Sequence, residues 1–248
     1  MITIKSAKEI EKMERAGGVV RDLLELLGSE VRPGITTGEL DRIAFDYIKT
    51  RGGVPSFLHY NGYPKSICAS IDDEVVHGIP SSKRRLEEGQ IVSIDVGAVL
   101  DGFHGDAART FPVGKIDPEK QRLIDVTREC FFAAVRDLKE GSRLSDIGRA
   151  VENTAHAAGY SVVRDLVGHG IGRQMHEDPS VPNFVTAGAG LRLKAGMTIA
   201  VEPMINAGVW QVKWCSDGWT VKTADGKPSA HYENTVLIEP DGCRLLTL

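Results

Sequence analysis

The chain has 248 residues, 42% of them hydrophobic and 26% charged, with a formal net charge of -4. A chain of that length can bury most of its apolar surface, and the balance is that of an ordinary globular protein, not a disordered or fibrous one. The slightly acidic total removes any electrostatic reason to expect nucleic-acid binding across the whole surface.

Lys5, Lys8, Glu9, Glu11, Lys12, Glu14 and Arg15 exclude the uncharged core of a signal peptide. No other run approaches the roughly 20 apolar residues of a membrane span, so a cytoplasmic protein without a membrane partner is expected. Cys68, Cys130, Cys215 and Cys243 lie far apart with no C-x-x-C pair, which reads as four reduced thiols.

Ser6-x-x-Glu9 is a capping box ahead of Ile10, Met13, Val20, Leu23, Leu24 and Leu27, a helical stripe expected to stop at Gly28. A second helix is predicted from about Thr37, with Leu40, Ile43, Ala44, Tyr47 and Ile48 inward and Gly52-Gly53 as its stop. Ile91–Ala98 and Phe103–Phe111 read as a strand pair turning near Leu100-Asp101-Gly102. Asp117-Pro118 opens a third helix through Leu123, Ile124, Thr127, Cys130, Phe131, Ala134 and Leu138, and a fourth runs from about Ser145 to Gly159. A last strand is expected over Ala230–Ile238.

Two helices and strands are thus followed by two helices and strands, and landmarks recur at one offset of 107 positions. Gly34 matches Gly141, Arg42 matches Arg149, Gly52 matches Gly159, Leu86 matches Leu193, Gly89 matches Gly196, and Asp95 matches Glu202. The shared offset favours duplication: a two-fold pseudosymmetric α/β domain over 1–248, with halves of about 1–110 and 111–248 and no linker to divide them. Each half also sets a histidine among small residues, Val76-His77-Gly78-Ile79-Pro80 and Gly168-His169-Gly170-Ile171-Gly172, ahead of a strand ending in an acid. The histidines break register at 92, so the second half must shorten before its histidine and lengthen after it.

Asp95 and Asp106 are an odd number of positions apart across a hairpin, which places both side chains on one face, opposite or one diagonal apart. Two buried like charges need a shared proton or a cation between them. Asp106 alone also fits a solvated turn residue after Gly105, whereas Asp95 sits inside Ile-Val-Ser-Ile-Asp-Val, where an unpaired acid is costly. Glu202 and Glu233 are likewise single acids among β-formers. With His169 they make an oxygen-rich set with one imidazole, suited to divalent Mn, Fe, Co or Zn, and bridging carboxylates favour two ions roughly 3.5 Å apart.

These residues, with Tyr63-Pro64-Lys65-Ser66, Glu74–Pro80, Asp95-Val96-Gly97, Gly102–Asp106, Gly168–Gly172, Val181–Phe184, Glu202-Pro203 and Asp217–Thr220, resemble the type I methionine aminopeptidases of peptidase family M24 in their short bacterial form. The resemblance spans essentially the whole chain. It implies the pita-bread fold, antiparallel half-sheets flanked by two pairs of helices, and a monomeric enzyme that removes the N-terminal methionine of peptides and nascent chains when the second residue is small. It implies action on nascent chains at the ribosome, which the net charge neither supports nor excludes.

Carried over position by position, the resemblance makes Asp95 a ligand of one metal, Asp106 and Glu233 bridges, and His169 and Glu202 ligands of the second. Glu202 would also shuttle a proton, His176 would stabilise the oxyanion, and His77 would contact the substrate's peptide group. Read alone, His77 and His176 are ordinary loop or core histidines. Tyr60, Tyr63, Cys68, Met175 and Trp219 would form the methionine pocket, soft and aromatic surfaces that suit a thioether. A free α-amine would ligate one metal, which accounts for exopeptidase action.

Met175 stands where the family usually has Phe, which is expected to make the pocket wall more flexible and shift its preference slightly. His231 and Asn234 stand where the family more often has Gln and His; these changes flank Glu233 and are expected to tune metal affinity and leave activity in place. His104 and His59 have no assigned role, and His156 reads as surface or packing. The rival readings are an Xaa-Pro aminopeptidase of the same fold and a non-catalytic pita-bread binding protein. The intact set of five ligand residues disfavours the second.

Overall fold

The computed structural model describes residues 2–248. The first half runs α1 (Ala7–Glu30), α2 (Thr37–Thr50), β1 (Val54–Pro55), β2 (Ile67–Ile71), β3 (Glu74–Val76), β4 (Ile91–Leu100) and β5 (Phe103–Pro112). The second opens with α3 (Pro118–Val135) and α4 (Leu144–Ala157), then β6 (Ser161–Val162), β7 (Gly168–Gly170), β8 (Glu177–Val181) and β9 (Thr198–Val201). It closes with β10 (Met204–Asn206), β11 (Val212–Trp214), β12 (Val221–Thr223), β13 (Ser229–His231), β14 (Asn234–Ile238) and β15 (Cys243–Leu245).

The helices start where capping chemistry places them. Ser6 N donates to Glu9 Oε2 at 2.9 Å, Thr36 N to Glu39 Oε2 at 2.8 Å, and Arg143 N to Asp146 Oδ2 at 2.7 Å, each satisfying an orphan donor of the first turn. Pro118 follows the Asp117 cap, which accepts from Glu119 N. Gly28 does not stop α1, which continues to Glu30. A Cβ there would lie 2.5 Å from the Phe111 ring, so the glycine lets that ring pack close to α1, and a larger residue would make the ring shift. The third helix ends at Val135, short of the buried Leu138.

The strands pair antiparallel in four sheets: β1, β2, β4 and β5; β6, β10 and β13; β3, β11 and β12; and β7, β8, β9, β14 and β15. One apolar core lies between α1, α2 and the β2–β4 strands, centred on Leu23, Leu27, Leu40, Ile48, Ile67 and Ile94. The other packs α3 and α4, through Leu123, Phe131, Ile147 and Val151, on Ile199, Val201 and Val236.

The repeat is visible in the backbone. Gly34 N donates to Leu86 O at 2.8 Å, and Gly141 N donates to Leu193 O at 2.9 Å. Leu86 N to Ile35 O and Leu193 N to Ser142 O are both 2.8 Å, and the isolated bridge Thr36–Arg85 recurs as Arg143–Arg192. All of these partners keep the offset of 107.

The expected final strand is two strands, β13 and β14, interrupted at Tyr232-Glu233, and Glu202-Pro203 likewise interrupts β9 and β10. At each break the chain leaves one sheet and joins another. A seam crosses between the halves there: Ala108 and Glu233 exchange backbone hydrogen bonds of 3.4 and 3.0 Å, and Asp106 N donates to Thr235 Oγ1 at 3.0 Å. No helix among the described residues is long and apolar enough to cross a membrane, and the four cysteines are free.

Candidate active site

Every residue of the sequence-derived site faces one cleft of about 270 Å³. In the long β4–β5 hairpin Asp95 pairs with Ala108 and Gly97 with Asp106, so the two aspartates share a face one diagonal apart. Asp106 is 4% exposed, which disposes of the solvated-turn reading. Glu202 and Glu233 come from the two strand breaks, where a departure from regular pleating turns a carboxylate into the cleft.

His169 sits in β7 between two glycines forced by neighbouring backbone: a Cβ would lie 2.3 Å from Ala200 O at Gly168 and 2.1 Å from Asp178 O at Gly170. Its Nδ1 lies 2.9 Å from Gly170 O and therefore carries the proton, which leaves Nε2 as the basic nitrogen, 3.6 Å from Glu202 Oε1 and 3.9 Å from Asp106 Oδ2. Burial pulls its pKa down to about 3, so it is neutral at physiological pH. His77 follows β3 with φ of 60°, a left-handed conformation that an L-residue holds only where surroundings enforce it, and burial draws its pKa to about 4.

The acids are pushed the opposite way. Burial raises Asp95 to about 7. Asp106, Glu202 and Glu233 rise well above the usual carboxylate range through burial first and repulsion among the four acids second. Asp95 Oδ1, Asp106 Oδ1 and Glu233 Oε1 are buried without a hydrogen-bond partner among the described residues. Such orphaned oxygens aimed at one another fit a cation. One ligand atom each from Asp106, His169 and Glu233 lies within 4.8 Å of the others, and the same holds for Asp95, His231 and Glu233, with Glu233 common to both groups. The donor chemistry is that of hard or borderline divalent ions.

Beside the acids lies an apolar wall of Phe57, Tyr63, Cys68 and Met175, with Tyr60, Ile79 and Trp219 packed on it. Tyr63 meets Trp219 edge-on at 5.0 Å, and its hydroxyl donates to Ile67 O at 3.0 Å, which fixes the ring. At the mouth, exposed His176 has Nδ1 2.8 Å from Tyr60 Oη, its ring centroid 4.1 Å from that of His169. His104 contacts Ser56 Oγ at 2.9 Å through Nδ1, and His59 and His156 are exposed.

Sequence reasoning overlooked Phe57 as a wall residue and His231 as a candidate ligand. Phe57 carries no periodic signal, because the short β1 pairing with β4 brings it in. His231 did carry one, lying two positions before Glu233 at strand spacing.

Residues 11–240 match metallopeptidase family M24, and the chain belongs to that family, with its pita-bread fold. Within it, the chain is 53% identical to the methionine aminopeptidase of Clostridium perfringens, over all of this chain and 99% of that one. It is 46% identical to the methionine aminopeptidase of Escherichia coli K12, over 100% of this chain and 94% of the relative. The crystal structure of methionine aminopeptidase from Rickettsia prowazekii matches with a TM-score of 0.98 at 42% identity, covering both chains fully. Prolidase from Pyrococcus furiosus matches at a TM-score of 0.76 and 23% identity over 99% of this chain and 65% of that one, a likeness of fold alone.

Proposed function

We propose that this M24 metallopeptidase is a methionine aminopeptidase, which hydrolyses the N-terminal methionine from peptides and nascent proteins whose second residue is small. The observation that carries this reading is the junction, in one cleft, of a buried acid and imidazole cluster with a soft apolar wall. Full-length identity of 46–53% to methionine aminopeptidases supports it.

Asp95, Asp106, His169, Glu202 and Glu233 would hold two divalent ions of Co, Mn, Fe or Zn. When bound, the ions supply Lewis acidity and a nucleophile at neutral pH. Tyr60, Tyr63, Cys68, Met175 and Trp219 receive the methionine side chain, with Phe57 closing the wall. The free, unprotonated α-amine of a chain end would offer its lone pair to this centre, which an internal peptide nitrogen, already an amide, cannot do. Glu202 takes the proton of the attacking water and passes it to the leaving amine. His176 donates to the developing oxyanion, and His77, fixed by its unusual backbone, holds the peptide group. The Tyr60 hydroxyl beside His176 orients that imidazole.

The halves, about 1–110 and 111–248, act as one catalytic domain, since ligands come from both sides of the seam. We place the enzyme in the cytoplasm as a monomer working on nascent chains near the ribosome. Release of methionine from Met-Ala-Ser, measured beside hydrolysis of Ala-Pro peptides, tests the reading. Cleavage of Met-Ala-Ser alone is expected. Preference for Ala-Pro would make it an Xaa-Pro aminopeptidase, and inactivity on both in the metal-loaded protein would make it a binding protein.

A further inference from the structure

We propose that His231 is a sixth metal-ligating residue, giving the Asp95 side of the centre an imidazole nitrogen of its own. The inference rests on the two-ion reading above. His231 is 3% exposed at the end of β13, and its Nε2 is buried with no hydrogen-bond partner among the described residues. That nitrogen lies 3.8 Å from Glu233 Oε2, within the group that also includes Asp95. A buried core histidine ordinarily finds partners for its polar atoms. Here the unpartnered atom stands among carboxylate oxygens that are themselves unpartnered, Asp95 Oδ1 and Glu233 Oε1.

The backbone holds the ring in place. His231 N donates to Thr110 Oγ1 and Thr110 Oγ1 donates to His231 O, both at 2.9 Å, while Met204 pairs with His231 across β10 and β13. Thr110 belongs to β5, so the strand that carries Asp106 also sets the position of His231. The centre thereby has one imidazole in each of its two groups, His169 with Asp106 and Glu233, and His231 with Asp95 and Glu233. Imidazole favours Co(II), Zn(II) and Fe(II) over Mn(II), whose preference is for oxygen. The second imidazole therefore biases the whole centre towards the borderline ions.

The test uses the full chain, stripped of metal, as wild type and as His231→Gln, titrated calorimetrically with cobalt chloride and with manganese chloride. The variant should lose about tenfold or more in affinity for one Co(II) equivalent, with a smaller loss for Mn(II). Wild-type protein carrying 15N-labelled histidine and loaded with zinc should show two zinc-ligated imidazoles, which needs no variant and holds even if His231→Gln fails to fold. A single ligated imidazole, or equal Co(II) affinity in wild type and a folded variant, overturns the proposal while leaving the metal centre intact. Failure of the wild type to bind Co(II) at all would overturn the metal centre and this proposal together.

Discussion

The two halves share a frame and differ in what the frame carries. The hydrogen bonds at Gly34 and Gly141 and at Leu86 and Leu193 repeat with lengths equal to within 0.1 Å, and the bridge at Arg85 recurs at Arg192, because hydrogen bonding between helix entry and strand entry defines that geometry. Beyond the frame the halves diverge. The first supplies two aspartates from an unbroken hairpin of ten-residue strands, and the second supplies two glutamates from strands that break at Glu202 and Glu233. Duplication preserves backbone arrangements that stabilise any sequence, and it relaxes where side chains must meet a ligand.

The histidines put this contrast to its severest test. His169→Ala should remove a ligand and reduce methionine release by at least the 10²–10⁴-fold expected of a lost catalytic group, with metal content falling in parallel. His77→Ala should retain the metal and lose about 10²-fold in kcat/KM. Metal analysis beside kinetics separates the two, and equal metal loss in both variants would make the histidines true equivalents. Glu202→Gln should be as damaging as His169→Ala.

In the shared frame the halves should respond alike. Leu86 and Leu193 are 1% and 0% exposed, so alanine at either should cost about 2–5 kcal/mol in denaturant unfolding. A difference beyond about 2 kcal/mol would mean that only one half limits stability.

A smaller effect separates metal-free from loaded protein. Asp95 is raised to about 7, so its contribution to stability is complete below the ordinary carboxylate range and is lost as pH rises through about 7. His169 and His77, lowered to about 3 and 4, contribute above the ordinary imidazole value and lose that contribution as pH falls below it. Above about pH 7.5 the histidines are neutral in the folded and unfolded states alike, while Asp95 and the still more strongly raised Asp106, Glu202 and Glu233 go on losing protons. The chelator-treated enzyme should therefore melt earlier at about pH 9 than at about pH 7.5, and added divalent metal should reverse the order. A melting temperature independent of pH and metal would contradict the burial of these acids.

The smallest effect concerns the matched turns. Gly34 and Gly141 have φ of +91° and +90°, and alanine at each should cost roughly 1–2 kcal/mol, equally in both halves.

Much of this was legible in one dimension. Capping boxes at Ser6 and Thr36, the proline at position 118, the hairpin through Asp101-Gly102 and the 107-residue repeat are local or periodic signals, and each became the element it announced. Asp95 stood out because an acid inside an apolar strand demands compensation. Gly28 misled, since a glycine packed against the Phe111 ring looks in sequence like a helix stop. The interruption of the last strand at Glu233 was hidden as well, because every residue from Ala230 to Ile238 suits a strand and only pairing with two different sheets decides where the strand breaks.

The sequence alone determined the four helices, the β4–β5 hairpin, the repeat at an offset of 107 and the residue types of the site, because helix caps, strand alternation and turn glycines act over a few residues. Tertiary structure decided which oxygens lack partners, that Asp106 is buried, that Phe57 closes the wall and that the His231 ring stands beside Glu233. Those facts depend on contacts between residues more than a hundred positions apart, such as Ala108 with Glu233 and Thr110 with His231, and no local rule of chain geometry encodes them.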